Sequence, residues 1–394
     1  MANNKTALKL TVLLVSSLTI MSVITLSPAL PAISADFNHV PNGQFIVQMV
    51  LTIPALFISL TSPLAGMLID RFGRLKLLYL SMVLYAFAGT AGFYLENLYH
   101  ILISRATLGI AVGMSMTIVI TLIADYFQGQ ERQKFTGIQV AFMSLGGILM
   151  VSLGGFLADI SWRAPFLIYV LSLAFLPMAV VYLYEPEVQR RVEQQHKRNI
   201  KSPPLIWLLI INTMIMWILF FILPVHLPFH LKTLGVEKNA FIGIAVAMST
   251  LFSAISSFSY SKIKGRFSFY TIFFIGYVIM GVGLVIISWA TTYPLILVAM
   301  MFSGFGIGMM IPNTNLWIMQ LAPVEIRGRE IGKLTMFWFM GQFLSPIITL
   351  PLTGMFELAD MFRTAAILLF ILSGGFLLLH LVQIKKENQL ETHI

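Results

Sequence analysis

The chain has no cysteine among its 394 residues. That excludes disulfides, thiolate metal sites and a cysteine nucleophile. Charge is also scarce. Only 10% of residues are Asp, Glu, Lys or Arg, whereas soluble domains carry about 25%. Acids are the rarer sign, 16 against 25 bases. No Walker loop, dinucleotide fingerprint or nucleophile elbow occurs, so ATP use and enzymatic catalysis have no motif behind them. What is abundant is apolar: 58% of residues are hydrophobic and the mean hydropathy is +0.88. Such a chain cannot cover its surface with polar groups, so lipid must cover it.

The apolar residues fall into twelve segments, each near the roughly 20 residues a membrane span needs. The first is Leu10–Ile33 and the last Met361–Val382. Lys5 and Lys9 precede a run too long for the core of a cleavable signal, so the first segment reads as a span. The longest connection, Glu185 to Ser202, carries eight charged residues and divides the spans six and six. The expected organisation is a half 1–184, a cytoplasmic linker 185–203 and a half 204–394.

Lys and Arg are distributed unevenly. With the N-terminus inside, the inner segments hold 20 bases, the outer segments hold Arg163, Lys232, Lys238 and Arg363, and Arg105 lies within a span. This asymmetry predicts a multi-pass protein of the cell membrane with both termini cytoplasmic. It also accounts for the net charge of +9 without a nucleic-acid partner. The halves repeat at an offset of 195: Arg71 falls on Arg266, Gly109 and Gly113 on Gly304 and Gly308, Gly137 on Gly332, and Gly146 on Gly341. Duplicated six-span halves suggest a transporter with its site between them.

Four motifs then carry a specific resemblance. Gly66-x-Leu68-x-Asp70-Arg71-x-Gly73-Arg74-x-Lys76 resembles the loop between spans two and three of major facilitator superfamily transporters. Arg105-x-x-x-Gly109-x-x-x-Gly113 resembles their fourth-span motif, and Pro28-x-x-Pro31 the first-span proline pair of twelve-span drug:proton antiporters. Gly137, Gly146 and Gly154-Gly155 have the spacing of the fifth-span antiporter motif, but Met150-Val151 stand where that motif has Gly-Pro. The resemblance spans the whole chain. It implies an all-α membrane protein with twelve transmembrane helices in two pseudo-symmetric six-helix bundles, the major facilitator fold.

The resemblance also implies roles. Gly66, Asp70, Arg71, Gly73, Arg74 and Asp125 would form a cytoplasmic gate. Asp70 would sit on the N-terminus of the eleventh span near Gly332, and Arg74 would pair with Asp125. The second copy has Gly265 in place of the acid, so only the first can latch. Arg105 is a base inside a span, which must face protein. Three roles stand open for it: binding backbone carbonyls of the first span, as the family implies, countering an anionic substrate, or plain anchoring. No acid lies mid-span, so the proton-coupling candidates are Arg105, Asp36 and His226. His226 and His230 are one turn apart without a carboxylate nearby, so no metal site is expected.

For the substrate cavity the candidates are Gln48, Gln139, Asn212, Trp217, Asn313, Asn315, Trp317, Trp338 and Gln342, with interhelical hydrogen bonding the alternative use of the amides. Asn313 and Asn315 follow Pro312, where the helix ladder is interrupted, and rank first. Gly109, Gly113, Gly146, Gly154 and Gly155 read as close helix contacts. The expected function is secondary transport, led by proton-coupled export of small, largely apolar organic compounds. No cofactor is expected, the proton gradient supplies the drive, and lipid and a small-molecule substrate are the partners of a monomer. The alternatives are transport of a defined metabolite (a sugar, an amino-acid derivative or a metal-chelating metabolite) and a non-transporting sensor on the same scaffold.

Overall fold

A computed structural model describes residues 2–186, 200–353 and 357–391. Twelve of its helices are long and apolar enough to cross a membrane. We label them α1 (Lys5–Asp36), α2 (Gly43–Ile69), α3 (Arg74–Phe93), α4 (Leu98–Tyr126), α5 (Gly129–Ile160) and α6 (Ala164–Tyr182), followed by α7 (Pro204–Thr233), α8 (Asn239–Lys264), α9 (Phe269–Trp289), α10 (Tyr293–Leu321), α11 (Val324–Pro351) and α12 (Leu358–Lys385). Most of the linker, 187–199, lies outside the described residues.

Prolines and glycines set the irregularities. Pro28 and Pro31 break α1: the regular helix stops at Ile24, a 3-10 turn covers Ser27–Ala29, and helix resumes over Leu30–Asp36. α5 runs unbroken through Met150-Val151, where no proline interrupts the ladder. Gly73 ends α2 at φ 82° and ψ 167°, a conformation essentially reserved for glycine.

The 195-residue repeat is a repeat of contacts. Gly109 on α4 lies against the Pro54 carbonyl of α2, and Gly304 on α10 against the Ser249 carbonyl of α8. Gly113 meets Ile58, and Gly308 meets Ser253. Pro54 and Ile58 fall on Ser249 and Ser253 at the same offset. In both halves a glycine pair lets two helices touch backbone to backbone.

Between the halves, α5 packs on α8, α2 on α11, and the broken end of α1 on α7. The outward surface is apolar: Leu64, Phe87, Leu149, Phe258 and Leu378 are exposed, which lipid tolerates and water does not. We call the end bearing Lys9, Arg74, Lys134 and Arg329 the base-rich face and the opposite end the base-poor face.

Candidate functional site

Arg105 is fully buried, and no carboxylate pairs with it among the described residues. Its charge is met by carbonyl dipoles. Nη2 donates to the Ser22 carbonyl at 2.6 Å and Nε to the Val50 carbonyl at 3.2 Å, while the guanidinium lies 4.8 Å from the Tyr169 ring centroid. Both acceptors are carbonyls that helix geometry has orphaned. Ser22 lies at the end of the first helical segment of α1, and the ladder partner of Val50 would be residue 54, a proline without N–H. Arg105, Gly109 and Gly113 thus climb α2 at Val50, Pro54 and Ile58, a rung every four residues. The contact with the first span is the one the family resemblance implies. Nη1 has no hydrogen-bond partner among the described residues, so the two carbonyls hold part of the fork.

The same rule recurs at two more prolines. Pro228 orphans the Pro224 carbonyl, which accepts from Ser27 Oγ of α1 at 2.6 Å. Pro312 orphans the Gly308 carbonyl, which accepts from Ser257 Oγ of α8 at 2.6 Å. The first of these bonds joins the halves; the second stays within one.

His226 lies between the halves. Its Nε2 is 2.9 Å from Thr349 Oγ1 of α11, and its Nδ1 is 3.4 Å from Gln48 Nε2 of α2. Thr349 spends its own proton on the Ser345 carbonyl. The network therefore assigns the Nε2–H tautomer, with Nδ1 accepting from the Gln48 amide. His230, one turn on, packs its ring 5.5 Å from Phe362 instead of joining His226. Asp36 is exposed at the end of α1 and takes no part in this bridge.

Further polar contacts between the halves are Ser59 Oγ to the Met336 carbonyl at 3.2 Å and a group where α5 ends and α8 begins. There Asp159 accepts from the backbone N–H of Asn239 at 2.6 Å and of Ala240 at 3.1 Å, and Asn239 Nδ2 donates to the Ala158 carbonyl at 3.0 Å. All these cross-half contacts lie from mid-span to the base-poor face. Toward the base-rich face, a Cβ added to Gly66, Gly137, Gly328 or Gly332 would meet nothing within 4 Å. Among the described residues, polar bridges between the halves gather toward the base-poor face and are fewer toward the other.

At the base-rich face Arg74 Nε donates to Asp125 at 2.8 Å, the pair the resemblance implies. Glu185 completes the cluster, accepting from the backbone N–H groups of Arg74 at 2.8 Å and Leu75 at 2.9 Å. It caps α3, whose N-cap Gly73 has no side chain to do so. Arg71 stands apart, over the Phe72 ring. The side chain of Asp70 lies outside the described residues. Glu330, an acid near the start of α11, is completely buried and is held by Arg329, Lys333 and Ser202 at 2.9, 3.1 and 2.9 Å.

Apart from Gln48, the candidate amides and indoles that have partners meet them within one half. Trp217 of α7 and Trp338 of α11 stack at 4.4 Å, where Gly341 admits α11 against α7. Gln342 is buried beside that crossing, and Gln139 of α5 donates to Ser16 of α1 at 3.0 Å. Further along α5, Gly146 and Gly154 pack on Ser17 and Thr25 of α1, and Gly155 on Asn239 of α8. Asn313, ranked first from sequence, is fully buried and paired at both ends: Oδ1 accepts from Tyr260 at 3.1 Å and Nδ2 donates to the Phe269 carbonyl at 3.0 Å. Asn315 donates to Ile311 of its own helix, Asn212 accepts from Tyr277 at 2.7 Å, and Trp317 stacks on Phe269 at 5.1 Å. These four, like the Trp217–Trp338 and Gln139–Ser16 pairs, join spans within one half or stay within one helix. Sequence reading missed Asp159, Glu185 and Glu330 as contact residues. A glutamate just past the end of α6 was the only local hint, for Glu185.

Comparison with known proteins decides the family. The sequence model of the Major Facilitator Superfamily matches residues 12–346 and, again, 237–392. The chain belongs to this superfamily. As a superfamily transporter it has relatives among exporters. It is 26% identical over 409 aligned positions to the bacillibactin exporter of Bacillus subtilis (strain 168), covering 96% of this chain and 98% of that one. It is 23% identical over 334 positions to the quinolone resistance protein NorA of Staphylococcus aureus (strain COL), covering 82% and 83%. Among solved structures a D-xylose-proton symporter superposes with a TM-score of 0.78 at 17% identity over 94% of this chain and 96% of that one. A bacterial homologue of the lysosomal transporter Spinster gives 0.75 at 14% over 95% and 96%. These two likenesses establish the fold. The protein is a multi-pass membrane transporter.

Proposed function

We propose that this transporter exports small, largely apolar organic compounds in exchange for protons, by rocking 1–184 against 204–394. The observation that carries export is the near full-length similarity to an exporter, together with similarity over 82% of the chain to a drug-resistance protein. The base-rich face is then cytoplasmic, and the fewer polar bridges there are those of an inward-facing state. The Trp217–Trp338 stack beside Gln342 is a mostly apolar contact with a polar neighbour, which suits such cargo. Arg105 is engaged by carbonyls, which favours a coupling role over that of a substrate counter-charge.

His226 is the proton carrier in this reading. In the neutral tautomer Nδ1 accepts from Gln48; protonation turns that nitrogen into a donor facing a donor. The Gln48 amide must then turn or leave, which loosens α2 from α7. Exchange would have His226 take up its proton while the base-poor face is open and release it toward the base-rich face, the bridge to Gln48 re-forming as the base-poor face closes.

A second reading is supported by the 98% coverage of the bacillibactin exporter: a single defined metabolite as cargo. One experiment separates the two. Cells with and without the gene are loaded with a panel of apolar dyes, with and without a protonophore. The proposal expects lower accumulation of several dyes in cells with the gene, abolished by the protonophore. Exclusion of none contradicts the apolar class, and exclusion that survives the protonophore contradicts proton coupling.

A further inference from the structure

Helix α8 begins badly by its own sequence. Its N-cap is Lys238, whose side chain cannot accept a hydrogen bond and whose ammonium opposes the positive end of the helix dipole. Ser, Thr, Asp or Asn would be the ordinary choice. The free N–H groups of Asn239 and Ala240 are instead taken by the two carboxylate oxygens of Asp159, one each, from the last turn of α5 in the other half. We propose that Asp159 is a conformational latch: it supplies the missing cap of α8 across the interface and so stabilises closure of the base-poor face.

The surroundings make the contact all-or-none. A Cβ on Gly155 would stand 2.6 Å from the Asn239 carbonyl, and one on Gly243 2.8 Å from the Val151 carbonyl. α5 and α8 therefore touch at backbone level, and any opening that parts them withdraws both oxygens of Asp159 at once. The Asn239–Ala158 bond breaks with them. The charged groups around the carboxylate are Lys232, Glu237 and Lys238; the Lys232 ammonium donates to the Glu237 carbonyl, so the loop before α8 is folded onto itself and does not cap the helix. In the open state α8 keeps Lys238 as its N-cap and loses the acid. The cap is thus worth something in one state only, which is what a latch requires. The resemblance implies the same device at the opposite face, where Asp70 would meet the start of α11. Asp159 would be its counterpart: in each case a carboxylate of 1–184 sits on a helix start of 204–394.

The inference rests on alternating access between the halves and on no reading of the cargo. The cysteine-free chain allows a clean test. Spin labels are placed on the exposed positions Ile160→Cys and Thr233→Cys of the purified full-length protein, and the distance distribution is measured. The wild type should show a short and a long population. Asp159→Ala should raise the long one about fivefold relative to the short one, the effect of losing a helix cap. Lys238→Ser gives α8 its own cap in both states. It should by itself favour the long population and should shrink the effect of Asp159→Ala. An unchanged distribution in Asp159→Ala overturns the latch, and so does an equal shift in the Lys238→Ser background. Should Asp159→Ala not fold, an unmoved distribution in Lys238→Ser with Asp159 intact overturns it too. A single distance in the wild type contradicts alternating access, and the latch with it.

Discussion

Replacing Arg105 by lysine tests how a buried charge is held. A single ammonium keeps the charge but cannot reach the Ser22 and Val50 carbonyls together with the guanidinium's fork. Losing one charge-assisted bond to a buried carbonyl costs about 1.5–3 kcal/mol. Arg105→Lys should therefore lower the thermal unfolding midpoint in detergent and slow transport, and an unchanged midpoint would show that these carbonyls find other partners. Gly73 is the second residue-scale case. Its φ of 82° and ψ of 167° put a Cβ in a region that costs about 1–3 kcal/mol. Gly73→Ala should lower the same midpoint, its Cβ also standing 3.3 Å from the Glu185 carboxylate that caps α3. Gly137→Ala, where an added Cβ meets nothing, should leave it alone.

Among elements, the α5–α8 contact is the most constrained of those between the halves. Gly155 and Gly243 admit no side chain without moving a backbone carbonyl of the other half. Gly155→Val should hold the base-poor face open, read as faster maleimide labelling of the buried, interface-facing position in Val151→Cys. Labelling no faster than in the Gly155 parent would mean that α5 and α8 do not part during opening.

The elements themselves were largely legible. Each of the twelve spans was readable from hydropathy to within two helical turns at either end, and Gly109 and Gly113 were readable as contact glycines from their spacing and recurrence. The Arg74–Asp125 pair was readable from its motif. Which way a polar residue faces was not. A helix that is apolar all round has no hydrophilic face to set its phase, so Asn313 and Asn212 looked as available as Gln342. Packing turned Asn313 to Tyr260 and Phe269, inside one half. Asp159 and Glu185 were illegible for another reason. Each caps a helix distant in sequence, at a start whose own residue, Lys238 or Gly73, cannot. Weak caps can be read from sequence; the acid that remedies them is found only in space.

For the whole molecule, these contacts form one pattern. An orphaned carbonyl, a histidine bridge and a shared cap join the halves toward the base-poor face, and such bridges are fewer toward the base-rich face among the described residues. A transporter so arranged needs an energy source to cycle, and His226 sits where a proton could be taken up and released between the halves. The most direct measurement uses purified protein in liposomes with a pH-sensitive dye trapped inside. With a pH gradient imposed, adding an apolar substrate found in the dye panel should move protons down the gradient in the wild type and not in His226→Gln. Substrate movement with no proton movement, or equal transport with the gradient collapsed, would contradict the account.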